Sequence, residues 1–158
     1  MLNCRKRLSS DIEGARCLLN EFLSEDKHYL DSSTAYGHAG DAALQSSLQF
    51  FVDHPEIGFV WLAYDNELVV GVCVINYAIS TSIGGLVGKL DDVMVKLNKR
   101  SCGIGSEMLT LLKDQLLLEG VLRIDTGVHN KNSSGRQFYH RLQFQSLNEE
   151  RLACVLMR

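Results

Sequence analysis

The residues best placed to do chemistry form one turn, Lys99-Arg100-Ser101-Cys102-Gly103-Ile104-Gly105-Ser106, between a β-rich run and a long helical pattern. Glycines at 103 and 105 let the backbone approach a ligand closely. The amides that open the following helix have no partner of their own and carry the positive end of its dipole. Such a turn suits a phosphate. A P-loop would need Gly-Lys-Ser/Thr, and a dinucleotide fingerprint would need a third glycine in a first βαβ unit; the chain has neither here. A bare turn without a ligand is the competing reading. Elsewhere no Cys-x-x-Cys, His-x-x-x-His or His-Glu-x-x-His spacing offers a metal, and no Ser-His-Asp or Cys-His pattern offers a covalent nucleophile.

The elements around this turn follow from hydrophobic period. Residues 2 to 8 read as a first strand. Ser10 and Glu13 stand at capping-box spacing before Ile12, Ala15, Leu19 and Phe22, which predicts a helix from about Asp11 to Ser24. The polar stretch from Glu25 to Gly40 reads as irregular, and a second helix with Leu44, Leu48 and Phe51 on one side ends by Pro55. Phe59 to Tyr64 and Leu68 to Ile75 flank Asp65-Asn66-Glu67 as a β-hairpin. After a break at Ile83-Gly84-Gly85, Leu90-Asp91-Asp92-Val93-Met94-Val95 is a further strand. Ile104, Met108, Leu111, Leu112 and Leu116 set a helix that Gly120 ends. Val121 to Val128 is strand, Ser133 to Leu142 a short helix, and Phe144 to Arg158 leaves room for a final hairpin. The order predicts an α/β fold: a mixed, mostly antiparallel sheet flanked by helices, with one strand-helix-strand crossover.

The 158 residues suit a single domain over 1–158, without linker or repeat. A net charge of −3 provides no basic field for nucleic acid. The distribution is uneven. Residues 11 to 58 carry nine acids against Arg16 and Lys27, a net of −7, while residues 96 to 141 carry eight bases against four acids, a net of +4. That asymmetry suits a cationic substrate on one side and an anionic cofactor on the other, or else two solvated surfaces. No apolar run reaches the ~20 residues of a membrane span, and the first residues lack a signal-peptide pattern. Five scattered cysteines read as reduced thiols, so a cytoplasmic protein without metal is expected.

Leu90 to Val95 followed by Arg100-Ser101-Cys102-Gly103-Ile104-Gly105 resembles the GNAT superfamily of acyl-CoA-dependent N-acetyltransferases, whose motif is Arg/Gln-x-x-Gly-x-Gly/Ala. Asn132-Ser133-Ser134-Gly135-Arg136-Gln137-Phe138-Tyr139, running on to Gln143-Phe144, resembles the family's Asn-x-x-Ala-x-x-Phe-Tyr-x-x-x-Gly-Phe segment. The resemblance covers about residues 59 to 144. It implies a sheet with splayed central parallel strands and acetyl-CoA as co-substrate, with no metal. The pyrophosphate would lie on the amides of Ser101, Cys102, Gly103, Ile104, Gly105 and Ser106 beside Arg100. The pantetheine would pair with Val93, Met94 and Val95, and an N–H near Met94 or Val95 would hold the thioester oxygen. Asn132 would help hold the cofactor, and Tyr139 would give a proton to the departing thiolate.

A primary amine is protonated at neutral pH, so a carboxylate must take a proton before attack. Asp92 is preferred and Asp91 is the alternative; adjacent strand residues point to opposite faces. Where some members carry a catalytic Glu, this chain has Lys89. Gln143 replaces the usual glycine, Cys102 reads as structural, Lys131 and Arg136 could reach a ribose phosphate, and His38 or His129 are alternative bases. Glu21, Glu25, Asp26, Asp31 and Asp41 could steer a small cationic amine or a Lys side chain. A non-catalytic acyl-CoA-binding domain is the other functional reading. Exposed edges and a C-terminal strand would allow a homodimer.

Overall fold

A computed structural model describes residues 1–7, 9–36 and 40–156, with only the backbone described for residues 9 and 32–36. In chain order the elements are β1 (Leu2–Lys6), α1 (Ile12–Glu25), α2 (Lys27–Tyr36), α3 (Asp41–Asp53), β2 (Gly58–Asp65), β3 (Leu68–Ser80), β4 (Gly85–Val95), α4 (Ile104–Leu118), β5 (Arg123–Thr126) and α5 (Ser133–Arg141). The strands lie in the order β1-β2-β3-β4-β5. All pairs are antiparallel except β4 with β5, which α4 connects as a parallel crossover.

Alternation along β2 divides the core into two layers. Phe59, Trp61 and Ala63 face α4, where Met108, Leu109, Leu112 and Leu116 cover them. Val60, Leu62 and Tyr64 face the opposite way, against Ala15, Leu18 and Leu19 of α1 and Leu44 and Leu48 of α3. Both faces of β2 are covered, so its sequence is a continuous apolar run. The indole N–H that this buries, Trp61 Nε1–H, donates to the Met108 carbonyl (3.2 Å).

Several expectations change. The capping box does not form: α1 has Asp11 at its N-cap without a side-chain cap bond, because the Asp11 carboxylate accepts from both Arg5 terminal nitrogens (2.7 and 2.9 Å), while Glu13 pairs with Arg16. The stretch expected to be irregular contains α2, started by Asp26, whose Oδ1 accepts from the His28 and Tyr29 amides (3.0 and 2.9 Å). The Gly-rich break is the turn of a β3–β4 hairpin, with Gly84 at φ +76°.

The final hairpin is absent among the described residues: the chain from 144 to 156 forms no strand, and β5 is left as a sheet edge. Glu149-Glu150-Arg151 interrupts that segment with charges. Arg151 instead reaches Asp91 (3.6 Å) and packs on Gly127, where an added Cβ would lie 2.9 Å from its guanidinium. No helix of the described residues is long and apolar enough to cross a membrane.

Candidate active site

β4 and β5 pair only from Val87↔Arg123 to Leu90↔Thr126, after which β4 runs on to Val95 without β5. The parallel strands therefore splay and leave a cleft. At the fork the β3–β4 register shifts: two residues, Asp92 and Val93, lie opposite Cys73, and Asp92 adopts φ +55°. Beyond this bulge the Lys96 amide donates to the Val70 carbonyl (2.8 Å). By antiparallel alternation Met94 also directs its backbone to β3, while Val95, and Val93 two residues before it, face the cleft. The Val95 carbonyl accepts from Arg100 Nε (3.0 Å), which fits that assignment. Of the three strand residues, Val93 and Val95 turn their backbone groups toward the cleft, where Arg100 holds the Val95 carbonyl, and Met94 contributes a buried side chain.

The turn after β4 uses its two glycines differently. Gly103 is left-handed (φ +80°) and an added Cβ would meet nothing within 4 Å, so its need is conformational and its outer side is open. At Gly105 an added Cβ would lie 3.3 Å from the Phe138 ring, so this glycine lets α5 pack on α4. Ser101 is left-handed too (φ +61°). The first intrahelical bond runs from Glu107 N–H to the Gly103 carbonyl (3.0 Å), which leaves the Ile104, Gly105 and Ser106 amides available. Arg100 folds back, its second contact being Met94 Sδ (3.3 Å). Cys102 is exposed, with its thiol toward the Arg100 carbonyl (3.4 Å).

The paired carboxylates are not equivalent. Asp91 is held by Lys89 Nζ (3.3 Å), Arg151 (3.6 Å) and Asn76 Nδ2 (3.5 Å). The Asp92 side chain makes no hydrogen bond or ion pair among the described residues. Burial, with the negative charge of Asp91 beside it, pushes its pKa up to about 6, and Arg151 and Lys89 oppose that rise.

Tyr139 stands across the cleft, edge-on to Phe138 and Phe144 (centroids 5.2 and 5.3 Å). Burial pushes its phenol up to about 12, while the neighbouring Thr126 hydroxyl pulls the other way. The phenol thus stays protonated across the physiological range. Thr126 Oγ1 donates to the Leu90 carbonyl (2.9 Å), at the fork itself. Nothing in the sequence pattern marks Thr126; a strand hydroxyl gains its place only when β5 is seen to end there.

Asn132 is the N-cap of α5: its Oδ1 accepts from the Gly135 amide (2.9 Å) and Ser134 Oγ (3.2 Å). A Cβ at Gly135 would come within 2.5 Å of Asn132 Nδ2, so glycine there permits the cap. Arg136 donates to the Asn130 carbonyl (2.9 Å), and Lys131 is exposed. His129 is engaged on both nitrogens. Its Nδ1 accepts from the Lys131 amide (3.1 Å), which leaves Nε2–H to donate to Asp31 (2.7 Å). His38 lies outside the described residues. Gln143 takes the left-handed conformation (φ +67°) that glycine would adopt freely. Among the described residues no three His, Cys, Asp or Glu side chains converge as metal ligands.

A cleft of about 2340 Å³ runs past Asp92, the 100–106 turn, Thr126 and Tyr139. The model of the acetyltransferase (GNAT) family matches residues 19–144. Comparison with curated proteins returns no significant match. Among solved structures, an integron cassette protein from the mobile metagenome of Cole Harbour Salt Marsh is 24% identical with a TM-score of 0.79, over 98% of this chain and 91% of that one. A possible acetyltransferase from Clostridium difficile 630 is 14% identical with a TM-score of 0.82, over 100% and 99%. A ribosomal-protein-alanine N-acetyltransferase from Brucella melitensis biovar Abortus 2308 is 13% identical with a TM-score of 0.76, over 99% and 100%. At these identities the likeness is one of fold. With the family model spanning most of its length, the chain belongs to the GNAT acetyltransferase family.

Proposed function

We propose that the protein, acting as a single domain over 1–158, moves an acetyl group from acetyl-CoA to a primary amine by direct attack in a ternary complex. One observation carries this reading. The splay between β4 and β5 gathers an unpaired strand edge, the open helix terminus, a raised carboxylate and a protonated phenol onto one cleft. The amides of Ile104, Gly105 and Ser106, with the turn of Ser101, Cys102 and Gly103, suit the pyrophosphate. Arg100 would turn outward from Val95 to meet it. The edge groups of Val93 and Val95 suit the pantetheine amides, and an N–H there would stabilise the oxyanion. Asn132 acts by capping α5, which carries Tyr139.

Asp92 is favoured over Asp91 as base because Asp91 is occupied by Lys89 and Arg151. Asp92 takes one proton from the ammonium. The freed nitrogen attacks the carbonyl carbon, and collapse of the intermediate breaks the C–S bond. Tyr139 protonates the departing thiolate, and the remaining surplus proton on nitrogen restores the phenol. The proton on Asp92 leaves to solvent, so ammonium and thioester give amide, thiol and one proton. The Brucella structural neighbour is named as an enzyme that acetylates nitrogen, which is consistent with an amine acceptor. All five cysteines are free, which suits the reducing cytoplasm.

Thermal-shift titration with acetyl-CoA, CoA and ATP, followed by thiol release with an amine panel, tests this. Stabilisation by both CoA species but not ATP, with amine-dependent thiol release, is expected. Stabilisation without release for any amine would leave the alternative, a non-catalytic acyl-CoA-binding domain.

A further inference from the structure

Behind β4, on the face opposite α4, lies a second cavity of about 370 Å³. Leu19 and Leu23 of α1 and Leu44, Leu48 and Phe51 of α3 wall it, and at its sheet end stand Asp91, Asp92 and Asn76. Asp91, Asp92 and Tyr29 also line the large cleft, so the bulge at Asp92 is the partition through which the two spaces meet. The left-handed turn at Asp92 (φ +55°) places two acidic residues in succession at that partition. Among the described residues no Lys, Arg or His lines the smaller cavity.

From this arrangement we infer that the acceptor is a primary monoamine with a short aliphatic or aromatic body, seated between α1 and α3 with its nitrogen at Asp92. The inference rests on the reading above that the large cleft is the acetyl-CoA slot and Asp92 the base. The Asp92 carboxylate at one end attracts the ammonium, and apolar walls reward only an uncharged body. A polyamine would leave its further ammonium groups unpaired against leucines. An acceptor bearing phosphate or carboxylate would find no cation in the cavity. The volume lies near the low end of the ~300–1,000 Å³ typical of ligand pockets, which limits the body to one small group.

The test compares kcat/KM by thiol release, at fixed acetyl-CoA, for n-alkylamines of increasing length, phenethylamine, spermidine and a lysine-containing peptide. Each added methylene is expected to raise kcat/KM about three- to fourfold until the cavity is full. Phenethylamine should exceed spermidine and the peptide at least tenfold. Ala43→Trp, which fills the cavity from a half-buried position on α3, should raise the KM for phenethylamine at least fivefold and leave that for acetyl-CoA within twofold. Ser47→Phe, from an exposed position on the same wall, provides a second variant if the first does not fold. Equal or better turnover of spermidine or the peptide would overturn the inference while leaving acetyl transfer intact. An unchanged KM for phenethylamine in a folded cavity-filling variant would overturn it equally. Failure of acetyl-CoA to bind, or of every amine to release thiol, would remove the reading of the slot and this inference with it.

Discussion

Thr126 Oγ1 donates a 2.9 Å hydrogen bond to the Leu90 carbonyl at the last position where β4 and β5 are paired. The hydroxyl closes the fork of the cleft, which Tyr139 also lines. Thr126→Val keeps the shape and removes this hydrogen bond. It should cost about 0.5–1.5 kcal/mol of stability and lower kcat severalfold, leaving the KM for acetyl-CoA unchanged. Thr126→Ser should restore kcat. Steady-state kinetics on the two variants would read it.

Asp92 should set the pH dependence of stability and rate. Its folded pKa of about 6 lies above the ordinary 3.8, so the folded state holds this proton more tightly than the unfolded chain. The contribution of Asp92 to stability is therefore fully present below about pH 4 and declines as pH rises through 6. Asp92→Asn should stabilise the protein at pH 7.5 by about 1–3 kcal/mol, with no gain at pH 4. Denaturation at the two pH values would measure it. The same substitution should abolish the acidic limb of the rate profile near pH 6. Asp91→Asn, which removes the neighbouring negative charge, should shift that limb to lower pH.

The two glycines of the turn should fail differently. Gly103→Ala forces a side chain into the left-handed region, at a cost of about 1–2 kcal/mol, and disturbs the amides that open α4. It should raise the KM for acetyl-CoA. Gly105→Ala presses on the Phe138 ring and hence on the helix that carries Tyr139, so it should lower kcat more than it raises that KM.

Gln143 carries a conformational cost at φ +67°. Gln143→Gly relieves it and gives back part as unfolded-state entropy, for a net gain of about 0.5–1 kcal/mol. A small rise in Tm with unchanged kcat would agree.

Much of the fold is legible in the sequence because local chemistry and tertiary contact coincide. Val60, Leu62 and Tyr64 alternate with Phe59, Trp61 and Ala63, so the two-sided burial of β2 is visible in the string itself. The glycine turn before Ile104 and the segment ending at Tyr139, both picked out by a family resemblance, line one cleft. The departures come where a distant partner decides the outcome. Asp11 is taken by Arg5, which leaves the box of Ser10 and Glu13 unformed. Asp26 caps a helix whose weak amphipathic pattern gives no warning, and Arg151 is held at Asp91 where a hairpin is expected. The difference between Asp91 and Asp92 likewise depends on Lys89 and Arg151, and Arg151 lies far along the chain from the pair.

Tyr139→Phe tests the cleft chemistry most directly, measured for thiol release with acetyl-CoA and the best amine of the panel, with CoA binding followed in parallel by calorimetry. Loss of the proton donor should lower kcat about 10²-fold or more, with the Kd for CoA within about threefold of wild type. Unchanged turnover in a variant that binds CoA normally would contradict the role of Tyr139 as the acid that releases the thiolate.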